Sequence, residues 1–449
     1  MGIVRLSRGV PQGVEDAGAW YVGTVPLFIQ GAVVFFRLHR FTLLVVMALA
    51  TLLALSPHLT AQQRAATPER AATPERAATP ERAATPERAA TPERVDGLQT
   101  AIARARHLQR GINTSAWFAQ SADFSGAKAD RFMDAQDIAL IARLGFDNIR
   151  IPIDAAAFEK YPRTADGMSS EFISRLDRAV DAALANGLAV QIDLHPEDNF
   201  KQRLRNGDDP IDRLAMLWRR LAAHYANRNP DLVFFEILNE PEVYDRYRWA
   251  GIQTRIAGAI RDAAPHNTII VTGANYSDIP DLLSLRPLAD GNVIYNFHFY
   301  EPHEFTHQGA TWGLSWWSYT HGIAYPPNYA AMQALLSQVP DLPDRYTLEN
   351  YWLNHWDGRH IRLLIDEAAA WAHQYNVPLI CNEFGVYRNN SDPASRINWL
   401  KDVRTALEAD GIGWAMWEYR GGFGIVDKQD GQPAQADSAV VQALGLKGR

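Results

Sequence analysis

The sequence predicts an α/β chain whose folded part is a single (β/α)8 TIM barrel, preceded by a signal-like hydrophobic segment and a low-complexity linker. Three observations carry that prediction. Eight apolar runs of strand length recur at 108–113, 148–153, 188–194, 232–238, 268–272, 293–299, 377–382 and 413–417. Amphipathic stretches with helical spacing separate most of them, at 135–144, 172–185, 211–226, 252–263, 359–374 and 395–409. No glycine-rich phosphate loop follows the first run, which counts against an open nucleotide-binding sheet. Alternation of this kind over about 340 residues is the pattern of a closed barrel. A last helix, 434–446, is expected to close the fold.

Before the barrel the chain divides into two further regions. Region 1–61 holds two apolar runs separated by Arg37-Leu38-His39-Arg40. The second, 41–55, follows basic residues, has the length of a secretory h-region and is short for a membrane span. Leu59 and Ala61 then form a cleavage signal before Gln62. The 36 residues ahead of it are too long for an n-region. Either translation starts later, near Val33, Val34 or Leu38, or 20–36 adds a membrane-associated segment; Gly23, Pro26, Gln30 and Gly31 weaken that span and favour the late start. The expected location is therefore secreted or periplasmic, with a membrane contact only through this segment if it stays uncleaved. Region 62–97 carries Ala-Ala-Thr-Pro-Glu-Arg five times over 65–94. A proline every sixth residue interrupts helices and nothing large and apolar is there to bury, so an extended, solvated spacer is expected. Order should begin near Val95 or Leu98, and the barrel domain is taken as 98–449.

Composition narrows the partners. With 47% hydrophobic residues the chain can build a large core. A net charge of −7 offers no basic stripe to release counterions from phosphates, which argues against nucleic acid and acidic polymers. Cys381 is the one cysteine, so neither an intrachain disulfide nor a cysteine-rich zinc site can form. His303, His307 and His321 fall in one region but match no ligand spacing, so neither metal nor cofactor is expected. A monomer is the expected state.

In such a barrel the site lies at the C-terminal ends of the strands. Those ends read Asn113, Arg150, His195, Asn239 with Glu240, His298 with Tyr300, Glu383 and Trp417. Taken singly, each has a structural explanation: an ion pair for Arg150, a satisfied core histidine for His195, packing for Trp417, a helix cap for Glu240. Together they form a polar rim that stability alone does not call for. Glu240, before Pro241, and Glu383, before Phe384-Gly385, end the fourth and seventh runs and so face each other across the mouth. Paired carboxylates across a small gap are what cleavage of a glycosidic bond requires. A cation at Arg150 would hold Glu383 ionised, whereas Glu240 has no evident cation and would keep its proton.

The segments Arg110-Gly111-Ile112-Asn113, Asn148-Ile149-Arg150-Ile151-Pro152, Asp193-Leu194-His195, Glu236-Ile237-Leu238-Asn239-Glu240-Pro241, His298-Phe299-Tyr300, Asn382-Glu383-Phe384-Gly385 and Trp414-Ala415-Met416-Trp417-Glu418 resemble, in order, the motifs of glycoside hydrolase family 5, the cellulase-type family. The resemblance implies an endo-acting, retaining β-glycosidase working on β-1,4-glucan by double displacement. It implies Glu240 as acid/base and Glu383 as nucleophile. It further implies that Tyr300 and His298 support the nucleophile, Asn239 binds the sugar 2-hydroxyl, His195 lines the same subsite and Trp417 is the platform beneath the sugar. Asn113 and Arg150 join this substrate-binding set. Glu236 reads as an inward-pointing structural acid, Asn382 as orienting the nucleophile's backbone and Cys381 as a small buried residue on the side of Glu383. The connection from 301 to about 351 is long and aromatic, and Trp312, Trp316 and Trp317 are its candidates for distal sugar contacts, beside Tyr319, Tyr325 and Trp352. β-Mannan and xyloglucan remain alternative substrates, and a catalytically inert polysaccharide-binding barrel is the reading of a different class.

Overall fold

In the computed structural model the eight runs become eight strands: β1 Arg110–Asn113, β2 Asn148–Ile153, β3 Ala189–Leu194, β4 Val233–Glu236, β5 Thr268–Val271, β6 Val293–Phe299, β7 Leu379–Phe384 and β8 Gly413–Met416. They pair in parallel in chain order, and β8 closes on β1. The structure describes residues 24–29, 32–37, 92–121, 123, 125–160, 170–337, 339 and 342–447. By internal contacts the chain forms two units, Met1–Thr85 and Pro86–Arg449. In the first, Thr24–Ile29 pairs antiparallel with Ala32–Arg37. The signal-like run 41–55 and the repeats before Pro92 lie outside the described residues.

The helices form where apolar residues recur on one face and an acidic cap precedes them. Ala135–Leu144 buries Ile138 and Ile141 and starts at a reciprocal capping box between Asp134 and Asp137. Asp245, Asp357 and Asp392 cap the helices Arg246–Ala263, Gly358–Tyr375 and Pro393–Ala409 more simply, each side chain accepting from one or two backbone N–H groups that have no partner within the helix.

Two expected boundaries shift. Helix α1, Pro92–Ala105, starts inside the stretch 62–97 expected to be spacer, and the last repeat supplies its first turn. Proline suits that position because its missing N–H would have had no helical partner, and Glu93 meets the positive helix end. The closing helix spans only Ser438–Ala443, capped by Asp437, because the residues before it pair as Val426–Asp427 with Gln435–Ala436.

The barrel interior changes character along its axis, and that change positions the site. At the N-terminal end, Ala101 of α1 packs with Leu108, Ala189, Phe234, Ile270, Ile294 and Ile380 in a closed apolar cluster. One layer higher, Gln191 donates to Asn148 at 2.7 Å. At the C-terminal end the inward residues are Asn113, Arg150, Asp193, Glu236, Asn296 and Asn382, all buried and tied to one another. The connection after β6 is no bare loop. It folds as short helices at His303–Thr306, Ser315–Tyr319, Tyr329–Leu336 and Leu342–Leu353, pinned where Tyr325 donates to Asp402 (2.9 Å) and Trp399 donates to the Glu301 carbonyl (3.1 Å).

Candidate active site

Arg150 is the centre of the polar end. Fully buried on β2, its guanidinium makes a two-pronged pair with Glu236 (Nε to Oε2 2.7 Å, Nη2 to Oε1 2.8 Å). It also reaches Asn113 Oδ1 at 2.9 Å, Asn239 Oδ1 at 3.0 Å, Asp193 Oδ2 at 2.9 Å and Glu383 Oε1 at 2.5 Å. Burial alone would weaken this cation. The three carboxylates outweigh that and hold Arg150 well above the usual guanidinium range. Burial pushes Glu236 up and raises Asp193 to about 7, with Arg150 opposing it in both. Among such close carboxylates, burial favours retaining a proton.

A bulge aims Glu383. The β6–β7 register runs Phe297 with Cys381, then His298 with Glu383, so Asn382 is an extra residue on β7. The break in alternation turns two neighbours inward: Asn382 Nδ2 donates to Glu236 at 2.7 Å, and Glu383 meets Arg150 and the Tyr300 hydroxyl, which donates at 3.0 Å. Cys381, expected on the side of Glu383, instead belongs to the outer core cluster, its thiol donating to the Glu383 carbonyl at 3.4 Å, while Ile380 belongs to the inner one. Asn382 acts through its side chain on Glu236, and its carbonyl accepts from Asn113 at 2.9 Å.

Glu240 lies beyond β4 in a turn at φ 37°, a left-handed conformation that costs a non-glycine residue about 1–3 kcal/mol and persists only when the surroundings enforce it. The following residues do so: Glu242 N–H donates to the Asn275 carbonyl and Val243 N–H to that of Ala274. The expectation that Glu240 has no cation beside it does not hold. His298 Nδ1 lies 2.9 Å from Glu240 Oε1 and 3.6 Å from Glu383 Oε2. Although burial pushes Glu240 up, His298 outweighs it and holds the carboxyl down, to about 2. Burial pulls the imidazole down, but the Glu383 and Glu240 carboxylates override it and raise His298. One carboxylate oxygen from each glutamate and one His298 nitrogen lie within 4.8 Å of one another. That is the one grouping of metal-ligand type among the described residues; His303 and His307 instead stack against Trp317 at 5.8 and 4.7 Å.

Above this layer opens a cleft of about 730 Å³. His195, Asn239, Glu240, His298, Tyr300, Glu383 and Trp417 all line it, and the His195 and Trp417 rings stack at 5.6 Å. Asn113 and Arg150, expected to bind substrate, lie fully buried beneath its floor with their polar groups occupied by protein. Of the aromatic candidates, Trp312 and Trp317 reach the cleft; Trp316 packs edge-on against Trp317 outside the lining, and Tyr325 is buried. Four wall residues carry no signal in the sequence pattern: Gln120, Tyr276 and Phe423 sit in loops whose course no periodicity reveals, and Lys201 on the short helix Asp198–Asn206. The sequence reading also passed over Asp193, although its inward position follows from lying two residues before His195. Seven carboxylate residues and one lysine line the cleft, which suits a neutral ligand.

A closed barrel with a polar C-terminal mouth and two glutamates at this spacing defines a glycoside hydrolase. A family model described as Cellulase (glycosyl hydrolase family 5) matches residues 106–422, and the chain belongs to that family. Endoglucanase C of Acetivibrio thermocellus is 31% identical over 316 residues, covering 69% of this chain and 90% of that protein. A hyperthermophilic endo-β-1,4-glucanase solved with substrate is 26% identical, with a TM-score of 0.61 over 77% of this chain and 99% of that one. Cel5A of Thermotoga maritima, solved with mannotriose, is 25% identical with a TM-score of 0.59 over 77% and 99%.

Proposed function

We propose that this chain is an endo-acting retaining glycosidase that cuts β-1,4-glucan, in cellulose or mixed-linkage glucan, by double displacement. The carrying observation is the closeness of the two glutamates: an oxygen of Glu240 and an oxygen of Glu383 lie within 4.8 Å of each other, in keeping with the short carboxyl separation of retaining enzymes, about 5–5.5 Å. Glu383 attacks the anomeric carbon while the bond to the leaving oxygen breaks and that oxygen takes a proton from Glu240. Water then gives its proton to Glu240, attacks the same carbon and releases Glu383. Arg150 and Tyr300 hold one Glu383 oxygen each, leaving the carboxylate fixed in aim. In the open cleft the acid's proton rests on His298, one hydrogen bond from Glu240. A bound sugar shields Glu240 from water, which favours transfer across that bond. Asn239 takes the 2-hydroxyl, and Trp417 supports the ring from below.

The neutral-ligand character of the cleft favours a glucan over a uronic polymer. Past Trp417 and Trp312 a second groove of about 420 Å³ continues along Tyr387 and Arg420, room for further sugars on a long chain and the basis for endo attack. Region 41–55 then acts as an export signal and the repeats as a spacer, which gives an extracellular or periplasmic enzyme. The test is reducing-sugar release from a cellulose derivative, barley β-glucan, mannan and xyloglucan, with Glu240→Ala and Glu383→Ala alongside. We expect β-1,4-glucans to be cut fastest, and each variant to lose at least about 10⁴-fold in kcat while staying folded. Near-wild-type turnover in either variant overturns the assignment, and preferential release from mannan replaces the substrate.

A further inference from the structure

Asp193 is fully buried on β3, two residues before His195 and on the same face. Its Oδ2 lies 3.0 Å from His195 Nδ1 and 2.9 Å from Arg150 Nη2. At the other edge of the ring, His195 Nε2 lies 3.2 Å from Asn239 Nδ2, and Asn239 Oδ1 accepts from Arg150 Nη2 at 3.0 Å. We propose that Asp193 is a positioning residue: by fixing the tautomer of His195 it fixes the amide of Asn239, so that one Asn239 N–H is aimed at the 2-hydroxyl of the sugar being cleaved. This rests on the reading of the cleft as a retaining glycosidase site.

The roles follow from which atoms can donate. Arg150 has donors only, so Asn239 must present its oxygen to it, and the amide nitrogen therefore faces His195 and the cleft. Burial holds His195 down, to about 3, so the ring is neutral and carries a single proton. Asp193 Oδ2 already faces a guanidinium and acts as acceptor, which draws that proton to Nδ1. Nε2 is then bare and accepts one Asn239 N–H. The second N–H is left for the ligand. Remove the acceptor at Asp193 and the ring can take the other tautomer, whose Nε2–H points at the amide N–H. Asn239 must then either lose this contact or flip and present its NH2 to Arg150. Both outcomes spoil a hydrogen bond that strengthens as the sugar approaches its transition state.

Two measurements on the full chain test this. The first compares Asp193→Leu, which has a similar volume and no acceptor, with wild type on an aryl β-cellobioside and on its analogue lacking the 2-hydroxyl in the ring that carries the aryl group. The expected result is a loss in kcat/KM of about 100-fold on the hydroxylated substrate, in the range for an aimed donor, and under about 3-fold on the deoxy analogue. Equal losses on both overturn the proposal, because a fault passed through Arg150 to Glu383 would not distinguish the substrates. If wild type cleaves neither, the glycosidase reading fails and takes this proposal with it. The second needs no variant: long-range ¹H–¹⁵N NMR of the wild-type imidazole should show His195 protonated at Nδ1, and protonation at Nε2 overturns the proposal even if Asp193→Leu does not fold.

Discussion

His298 changes what Glu240 can be. A lone glutamate at the end of an apolar strand would keep its proton through burial. Beside His298 at 2.9 Å the carboxyl is held down and the imidazole raised, which favours the proton on the ring side of their hydrogen bond. The pair still carries one proton, held below the raised titration point of His298 and lost as pH climbs through it. The alkaline fall in kcat/KM should therefore lie above the ordinary imidazole value, about 6.5. In His298→Gln the limb is set by Glu240 alone and moves to lower pH, by about one unit or more. A pH–rate profile of the two proteins checks this, and an unmoved limb sinks the shared-proton reading. Arg150 beside Glu383 was legible in the sequence because both lie on strands of the same barrel, although Arg150 sits midway along β2 and not at its end. His298 beside Glu240 was not, since Glu240 reaches it only through a left-handed turn that no residue type announces.

At the scale of elements, the ends of β7 and β8 show where pattern reading stops. β2 and β6 fall on their expected bounds because both are apolar runs with clear edges. β7 runs two residues further than expected, through Glu383 and Phe384. Period-2 alternation forbids two successive inward residues, and the bulge at Asn382 supplies them. Just past it, Gly385 has its own reason: a Cβ there would lie 2.3 Å from the Trp417 carbonyl oxygen. The two strand ends are joined at this point by the Trp417 N–H donating to Phe384 at 2.9 Å. Gly385→Ala must therefore push the Trp417 backbone away and shift the ring proposed as the sugar platform. We expect about 10²-fold lower kcat/KM with the fold retained, on the principle that a displacement near 1 Å at a reacting centre costs that much. Wild-type kinetics with soluble substrate would show that the platform tolerates the shift.

At the scale of the whole molecule the legible part was the repeat of strand and helix, which burial dictates. The illegible part was the floor of the barrel, because α1 covers it from a stretch whose composition reads as spacer. Pro92, Glu93 and Arg94 belong to the fifth repeat, yet they form the first turn of a helix whose Ala101 seals Leu108, Phe234, Ile270 and Ile294. Arg104 anchors the same helix to Asp231 at 2.8 Å and Thr268 at 3.1 Å. Gly291 leaves no room for a side chain against the Arg94 carbonyl, so even the repeat-derived turn is packed backbone to backbone. The last hexapeptide thus contributes Pro92, Glu93 and Arg94 to the scaffold, although its composition is that of the expected spacer. A chain beginning at residue 89 should keep the wild-type Tm and its activity on soluble glucan. One beginning at residue 107 uncovers several large apolar side chains, each worth about 1.5–3 kcal/mol when buried, and should melt about 5 °C lower or more. Calorimetry on the two truncations decides it: equal melting temperatures would mean that the barrel closes its own floor and that the spacer extends, as its composition suggests, through the last repeat.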